Sequence, residues 1–379
     1  MRIALVFTGS FRGGGVERLV WECARHFGAR HDVTVLADYW EDCGEPRVTY
    51  RKVQPAARLR ELSFMRRAGR AVREGGFDRA VSFGVNCPAG DVIWVNSLHR
   101  AWLERKGSSL RSLHPRHRLL LALEGHHFRG RRYRRVLAVS ERVADDLGRL
   151  YGVPRGDVDI VPNGYDPGEF SAGRRRGLRA EVRAELGIGV DEVVCLMVAN
   201  ELARKGLGVL LEAVRLVGDP QLRIVLVGRA APDGYDVGEQ VIYAGPSTDV
   251  GRSHALADLF VLPTRYEAAC LAIVEALASG LPVITTDVPG AGDLVSPGEN
   301  GLLQRDPLDA AELAGLLLLA LEDDRRATWS DAAPASVAHL AWPLVLSRAE
   351  GLLEGLAGVP VSGDGQPSWA HPTSEVAAP

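Results

Sequence analysis

The sequence predicts an α/β protein made of two doubly wound, parallel-sheet domains in series, and three observations carry that expectation. Short apolar runs of strand length alternate with amphipathic runs of helix length along most of the chain. The alternation is interrupted near the middle by a polar, arginine-rich stretch and then resumes. The chain has 379 residues, 46% of them hydrophobic, which is enough for two cores.

The first set opens with the apolar run IALVF at 3–7, a buried strand. GGGVERLVWECARHF (13–27) follows as a glycine-opened helix, and DVTVLAD (32–38) closes a β-α-β unit. Further strands are read at 77–84 and 91–96, then a long basic helical stretch, a strand at 135–140, a helix from Glu141 and a strand at 158–164. Strands separated by helices must pair in parallel, because a parallel neighbour needs a crossover connection. Residues 1–165 are read as the first domain, and 166–190, containing SAGRRRGLRAEVRAELGIG, as a charged link. The second domain, 191–335, holds strands at 192–200, 222–228, 240–245 and 256–263, helices at 206–217 and about 268–279, and strands in LPVITTD and NGLLQ. Residues 336–357 carry a late helix, AWPLVLSRAEGLLEGL, and 358–379 are rich in Pro, Ser and Gly, which predicts a mobile tail.

Composition narrows the function classes. A net charge of −3 gives the whole chain no pull toward nucleic acid. The five cysteines, Cys23, Cys43, Cys87, Cys195 and Cys270, are odd in number and never form C-x-x-C, which fits a reducing cytoplasm. The N-terminal apolar run meets Gly and Ser too early for a signal peptide, and no stretch approaches the ~18 apolar residues of a membrane span. A cytoplasmic protein, at most peripheral at the inner membrane face, is therefore expected. One local cluster stands out: Arg100, Arg105, Lys106, Arg111, Arg116, Arg118, Arg129, Arg131, Arg132, Arg134 and Arg135, opposed within their segment by Glu104 and Glu124. With Trp102 and Leu119 to Leu121 interleaved, it reads either as a surface for anionic lipid or phosphorylated glycolipid, or as a solvated helix pair. No aromatic stacking platform accompanies it, so nucleic acid is not an expected partner.

The stretch LFVLPTRYEAACLAIVEALASG reads as a strand to Pro263, a loop, and a helix from about Ala268 that stops at Gly280. Such a helix presents free N–H groups and a positive dipole end at the carboxyl end of a strand, where open α/β sheets bind ligands. Glu267 precedes the first turn and Glu275 lies two turns in. At a rise of ~1.5 Å per residue their separation is ~12 Å, about the reach from a hexose to a ribose across a diphosphate. Taken singly, Glu267 would only complement the dipole and Glu275 would sit on a solvated face.

The longer phrase ADLFVLPTRYEAACLAIVEALASGLPVI nearly meets the pattern A-D-x-F-V-x-P-S-x-x-E-x-x-G-x-x-x-x-E-A-x-A-x-G-x-P-V-I, and so resembles the donor-binding half of the retaining glycosyltransferases of family 4. MRIALVF with GGGVERLV, VLAVSERVADDLGRLYGVPRGDVDIVPNGYD and VANELARKGLGVLLEAV extend the resemblance over most of the chain. It implies the GT-B fold, two Rossmann-like domains facing a cleft, with wording most similar to bacterial lipopolysaccharide-core glucosyltransferases. By the same resemblance Glu267 would hold hydroxyls of a donor hexose, Glu275 the ribose, and the amides of Ala269, Cys270 and Leu271 would meet sugar and phosphate. Arg204 and Lys205 would neutralise a diphosphate leaving group. His99 would lie beside the donor's primary hydroxyl, with His126 and His127 as competitors for that place. Gly13, Gly14 and Gly15 would let the backbone approach phosphate or acceptor, and Asn163 of PNG would sit at the cleft edge.

Two departures are visible. Asn200 stands where many relatives place an arginine, and Cys270 where they place a glycine. The DVD at 157–159 opens a predicted strand rather than a metal site, and GT-B enzymes generally need no bound metal, so neither metal nor cofactor is expected beyond the donor itself. The resulting expectation is a retaining, metal-independent hexosyltransferase. It would use a nucleotide diphosphate sugar, UDP-sugar first, and a glycolipid, cell-surface glycan or small-molecule acceptor. The alternatives are a soluble natural product or aminocyclitol as acceptor, or a non-catalytic sugar-nucleotide or lipid-binding protein on the same scaffold. A dehydrogenase would need G-x-G-x-x-G, which GSFRGGGVER lacks, although Asp38 ends the second strand as such a site would require.

Overall fold

The structure, a computed structural model, describes residues 1–12, 14–105, 114–288 and 290–356. The expectations placed on Gly13, Lys106, Arg111 and the 358–379 tail lie outside the described residues. The chain divides into two compact units, Met1–Val161 with the stretch from Leu346 onward, and Pro162–Val345.

In the first unit the strands are β1 (Arg2–Val6), β2 (Gly9–Ser10), β3 (Asp32–Ala37), β4 (Tyr39–Trp40), β5 (Val48–Lys52), β6 (Arg79–Phe83), β7 (Val92–Val95), β8 (Arg135–Ala138) and β9 (Val158–Ile160). Seven of them form one sheet in the order β5-β3-β1-β6-β7-β8-β9, every pair parallel. The order reverses beside β1, the mark of a doubly wound sheet. Ile3, Ala4, Leu5 and Val6 are fully buried, because helices cover both faces of such a sheet. The helices are α1 (Val16–Gly28), α2 (Arg60–Gly75), α3 (His99–Arg105), α4 (Pro115–Arg129) and α5 (Glu141–Tyr151). β5 and α2 were not foreseen. α2 buries Phe64, Met65, Ala68, Ala71 and Val72, a stripe at helical spacing that its many arginines hide in the sequence.

The second unit has strands β10 (Val193–Val198), β11 (Leu222–Val227), β12 (Val241–Gly245), β13 (Leu259–Leu262), β14 (Val283–Thr286) and β15 (Gly301–Gln304), in the order β12-β11-β10-β13-β14-β15 and again all parallel. Its helices are α6 (Ala172–Glu185), α7 (Leu202–Lys205), α8 (Leu207–Val217), α9 (Val250–Ala255), α10 (Leu271–Ala278), α11 (Ala310–Ala320) and α12 (Asp323–Val337). The stretch 166–190, read from sequence as a link, is folded into this unit. Three arginines of α6, one turn apart, fasten it. Arg175 donates to Ala257 O, Arg179 and Arg183 grip Asp258 at 2.5 and 3.2 Å, and Asp258 also accepts from the Val194 N–H of β10. With Arg174 paired to Asp249 at 2.6 Å as well, these arginines, which suggested a solvated bridge, are engaged by carbonyls and two aspartates.

The two chain passages between units lie side by side in the second unit: Tyr165 N–H donates to Leu340 O (3.1 Å) and Trp342 N–H to Tyr165 O (2.9 Å). The last helix, α13 (Trp342–Gly355), begins there and joins the first unit from Leu346. Its Glu350 is buried among residues of α1 and the turn after it, pairing with Arg30 Nη1 at 2.9 Å, His31 Nε2 at 3.0 Å and His26 Nε2 at 3.6 Å. Arg79 Nε adds a bond to Leu353 O at 3.0 Å. Among the described residues no helix is long and apolar enough to cross a membrane.

Removing the Glu350 carboxylate takes the acceptor from His31 and His26 at a largely buried surface, while the exposed Arg30 can turn to water. Glu350→Ala is expected to cost about 1.5–3 kcal/mol in urea unfolding. Hydrogen exchange should quicken first at the amides of residues 346–355.

Candidate active site

In the second unit's sheet, β10 and β13 are neighbours although β11 and β12 lie between them in sequence. The chain leaves these two strands toward different faces, so a crevice opens at their carboxyl ends. The residues singled out as the cationic pair follow β10, and those of the acidic helix phrase follow β13.

After β10 the chain makes the single turn α7, ending in Arg204 and Lys205. Gly206 turns it off with φ 85°, and a Cβ at that point would stand 2.0 Å from Pro263 O. Only glycine tolerates both that backbone conformation and that approach. Arg265 N–H donates to Arg204 O at 3.0 Å, which locks the two loops to each other. The cations thereby reach Glu267: Arg204 Nη1 lies 2.8 Å and Lys205 Nζ 2.5 Å from Glu267 Oε1. Thr264, fully buried, donates its hydroxyl to the same oxygen at 3.1 Å. All three partners converge on Oε1, and among the described residues Oε2 accepts from none. Arg204 is further held by Tyr266 O at 2.6 Å and Glu201 at 3.1 Å. Burial opposes its charge, but Glu267 and Glu201 outweigh this and raise its pKa above the ordinary value.

Helix α10 begins at Leu271, not near Ala268, because its N-cap, Cys270, is extended at φ −97° and ψ 98°. Glu267 therefore lies on the loop, and the helical rise used to space it from Glu275 does not apply between them. Glu275 is the fifth residue of α10 and is buried, so it occupies no solvated face. The Ile273 and Val274 amides close onto Cys270 O, which puts the Leu271 and Ala272 amides ahead of the first intrahelical bond. Cys270 N–H donates to Gly290 O at 3.2 Å, and Ala269 is a half-buried loop residue. A Cβ on Gly290 would meet Glu267 O at 2.4 Å, so this glycine admits the loop that carries the carboxylate. Cys270 Sγ lies 3.8 Å from Lys205 Nζ, a neighbour the sequence did not reveal. Burial nonetheless pushes the thiol up to about 11, with Lys205 easing it, so it stays protonated at neutral pH. Asn200 uses its side-chain oxygen to accept from Arg229 N–H at 2.8 Å and ties the ends of β10 and β11 together.

The remaining candidates belong to other elements. Asn163 is buried in the passage that runs beside Leu340 and Trp342. Gly15 caps α1 in the first unit with open space around it, and a side chain on Gly14 would run into that of Glu17. His99, also in the first unit, starts α3. Its N–H donates to buried Glu124, its Nε2 lies 2.9 Å from His117 Nδ1, and its ring stacks on Trp102. His127 is buried against Cys87 O and Leu123 O. The basic segment meets carboxylates from outside itself: Arg105 pairs with Asp146, Arg116 with Glu61, Arg131 with Asp157 and Arg135 with Asp159. The two aspartates of the DVD run are thus held by arginines.

Sequence reasoning passed over Thr264, Gly206 and Gly290. Thr264 was detectable, since it fills the P-S place of the donor-site phrase; Gly290 was not, because its requirement comes from a contact across 23 positions.

Two doubly wound parallel sheets, one carrying a paired cation and carboxylate at its switch point and a helix tip beside them, define the GT-B class of glycosyltransferase. Residues 179–335 match the family model for glycosyl transferases group 1, and residues 13–169 that for glycosyltransferase family 4. The chain belongs to these GT-B glycosyltransferases. It is 24% identical over 351 residues to the lipopolysaccharide glucosyltransferase WaaG of Escherichia coli K12, covering 87% of this chain and 92% of that protein. A crystal structure of WaaG matches with a TM-score of 0.83 at 23% identity, over 93% of this chain and 100% of that one. The D-inositol 3-phosphate glycosyltransferase of Nocardia farcinica is 32% identical over 241 residues, 58% of this chain and 51% of that protein. The chain therefore spans about half the length of that relative. An Anabaena HepE structure in complex with UDP-glucose matches with a TM-score of 0.73 at 20% identity, over 94% and 100% of the two chains.

Burial, His117 and Arg116 lower the His99 pKa to about 4, and burial with Arg175 lowers that of His254 to about 3. Both groups fold neutral, while in the unfolded chain they take up a proton near pH ~6.5. Their contribution is fully present above that pH and is lost as pH falls from ~6.5 toward 4. The urea midpoint should decline over this range, and the His99 ring should remain neutral by NMR at pH 5.5.

Proposed function

We propose that the chain transfers a hexose, with retention of anomeric configuration and without a bound metal, from a nucleotide diphosphate sugar to an acceptor hydroxyl. The observation that carries this reading is the arrangement at Glu267. Two cations and a buried hydroxyl hold one carboxylate oxygen and leave the other to accept from sugar hydroxyls. A diphosphate seated at the tip of α10 would meet the Leu271 and Ala272 amides and the positive end of the helix. Arg204 and Lys205 stand where the leaving group's charge would develop, and their rigid attachment means little reorganisation as it does. No side chain of the constellation is set out as a nucleophile, which supports a front-face route in which the departing phosphate takes the acceptor's proton. Glu275, buried one turn into α10, is assigned to the ribose.

UDP is the preferred base because the Anabaena relative's structures hold UDP and UDP-glucose. The names of the other relatives support a glycolipid or a polyol as acceptor. Adsorption to an anionic bilayer through residues 100–135 is the less favoured part of the reading, given the ion pairs there. Arg118 and Arg132, without an ion pair among the described residues, would have to carry it. Asn200 is the observation that favours a non-catalytic sugar-nucleotide binder, since it puts no charge at a place where many relatives have an arginine.

Turnover separates the two. The purified chain is expected to hydrolyse UDP-glucose slowly without acceptor, and GDP- and ADP-glucose less well; binding of all three without any hydrolysis or transfer would favour the binder. Lys205→Ala should lower kcat by about 10²–10³. Thr264→Val, which frees Glu267 Oε1 of its hydroxyl, should lower kcat/KM by about tenfold, and Thr264→Ser should restore it. Glu275→Ala should weaken UDP binding in calorimetry, and an unchanged Kd would remove the ribose assignment.

A further inference from the structure

Just past the carboxyl ends of β1 and β3, in the first unit, the two-residue strands β2 and β4 pair in register, Gly9 beside Tyr39 and Ser10 beside Trp40. Side chains alternate along a strand, so Tyr39 and Trp40 project to opposite sides of this ribbon. Tyr39 lies over Gly9, where a Cβ would stand 2.4 Å from the ring, and meets Phe11 with centroids 5.5 Å apart. Trp40 stacks nearly flat on Tyr50, centroids 5.4 Å apart and planes 7° apart. Tyr50 is itself pinned: its hydroxyl accepts from Cys43 N–H at 3.0 Å and donates to Glu41 O at 3.3 Å.

The rings are rigidly based, and part of each is solvent-exposed. Trp40 is 38% exposed and Tyr39 48%, and Tyr50 stacks on one face of the indole. Large aromatics displayed at the carboxyl end of a parallel sheet lie where such sheets bind ligands. The rim is acidic: Glu41 accepts from Arg12 N–H (3.2 Å), Asp42 from Gly44 N–H (3.0 Å), and Asp38 pairs with Arg60 at 3.4 Å. Asp38 is thus offset by Arg60, while the carboxylates of Glu41 and Asp42 can accept hydrogen bonds from neutral hydroxyls. An aromatic face edged with carboxylates matches a pyranose, whose C–H face packs on the ring while its hydroxyls reach the rim.

We propose that the Tyr39–Trp40 ribbon is a carbohydrate-binding site that seats a neutral pyranose of the acceptor on the face of Trp40 away from Tyr50, with Glu41 and Asp42 receiving its hydroxyls. That the sugar belongs to an acceptor rests on the transferase reading; that the ribbon binds sugar does not.

The test uses the full chain, a printed array of neutral glucosyl, galactosyl, mannosyl and heptosyl glycans, and phosphatidylglycerol vesicles. The unaltered chain is expected to be retained on at least one neutral glycan and not on the vesicles. Trp40→Ala should weaken that retention by about tenfold, and Trp40→Phe, which keeps a ring on Tyr50, by no more than about threefold. Retention on no neutral glycan overturns the proposal, as does Trp40→Ala binding within about twofold of the unaltered chain, or vesicle binding that the same substitution abolishes. UDP-glucose hydrolysis by the unaltered chain is measured alongside. If it is absent while glycan retention depends on Trp40, the ribbon stands as a sugar site and the transferase reading falls.

Discussion

The candidate site depends on one carboxylate oxygen. Arg204 and Lys205 both lie within 3 Å of Glu267 Oε1, and therefore within about 6 Å of each other, where two like charges repel by about 3 kcal/mol at an effective dielectric of ~20. Adjacent residues at the end of a single helical turn would splay their side chains into solvent without an anion to gather them. Glu267 supplies it, and Thr264 keeps that anion from rotating away. The rest of the second unit serves this contact. The reversal of strand order puts the two loops side by side, and Gly206 and Gly290 let backbone come close enough for the side chains to meet.

The alternation of strands and helices was legible in the sequence because each strand of a sheet covered on both faces is a near-continuous apolar run, and such runs are hard to mistake. The cation pair and the acidic phrase were legible for a different reason: they are local words, each complete within about a dozen residues. What was not legible is what depends on distant partners. α2 hides a buried stripe under arginines, and α6 looks like a solvated linker until Asp258 and the carbonyls of Leu256 and Ala257 arrive to take its charge. The start of α10 was misplaced by three residues because the extended backbone at Cys270 is set by its bond to Gly290, and nothing near Cys270 in the sequence announces that bond.

The basic segment illustrates the same limit in electrostatics. Counted along the chain, residues 100–135 look like a strong positive field. Folded, four of their arginines face aspartates or glutamates drawn from α2, α5 and the start of β9, and Arg129 lies over the Tyr151 ring. Charge density along a sequence overstates surface potential wherever neighbouring elements bring the opposite sign, and only the fold reveals which residues are left over.

The gathered cations also bear on how a donor would be received. In the unliganded chain Glu267 serves as counter-ion to both, so a diphosphate would not enter a bare positive pocket; it would share cations already held in position. Sharing lowers the gain on binding, since the carboxylate partly satisfies the cations beforehand. It also lowers the reorganisation needed once charge moves onto the leaving group, because the guanidinium and ammonium are fixed by Tyr266 O, Glu201 and Glu267 before the ligand arrives. Stabilisation that is weak toward the ground state and already oriented for the developing charge favours turnover over tight binding. The same logic gives Asn200 a definite consequence. With asparagine rather than a cation at position 200, where its side chain is taken up by the Arg229 N–H, the leaving group's charge would fall on Arg204, Lys205 and the amides at the head of α10 in the proposed reaction.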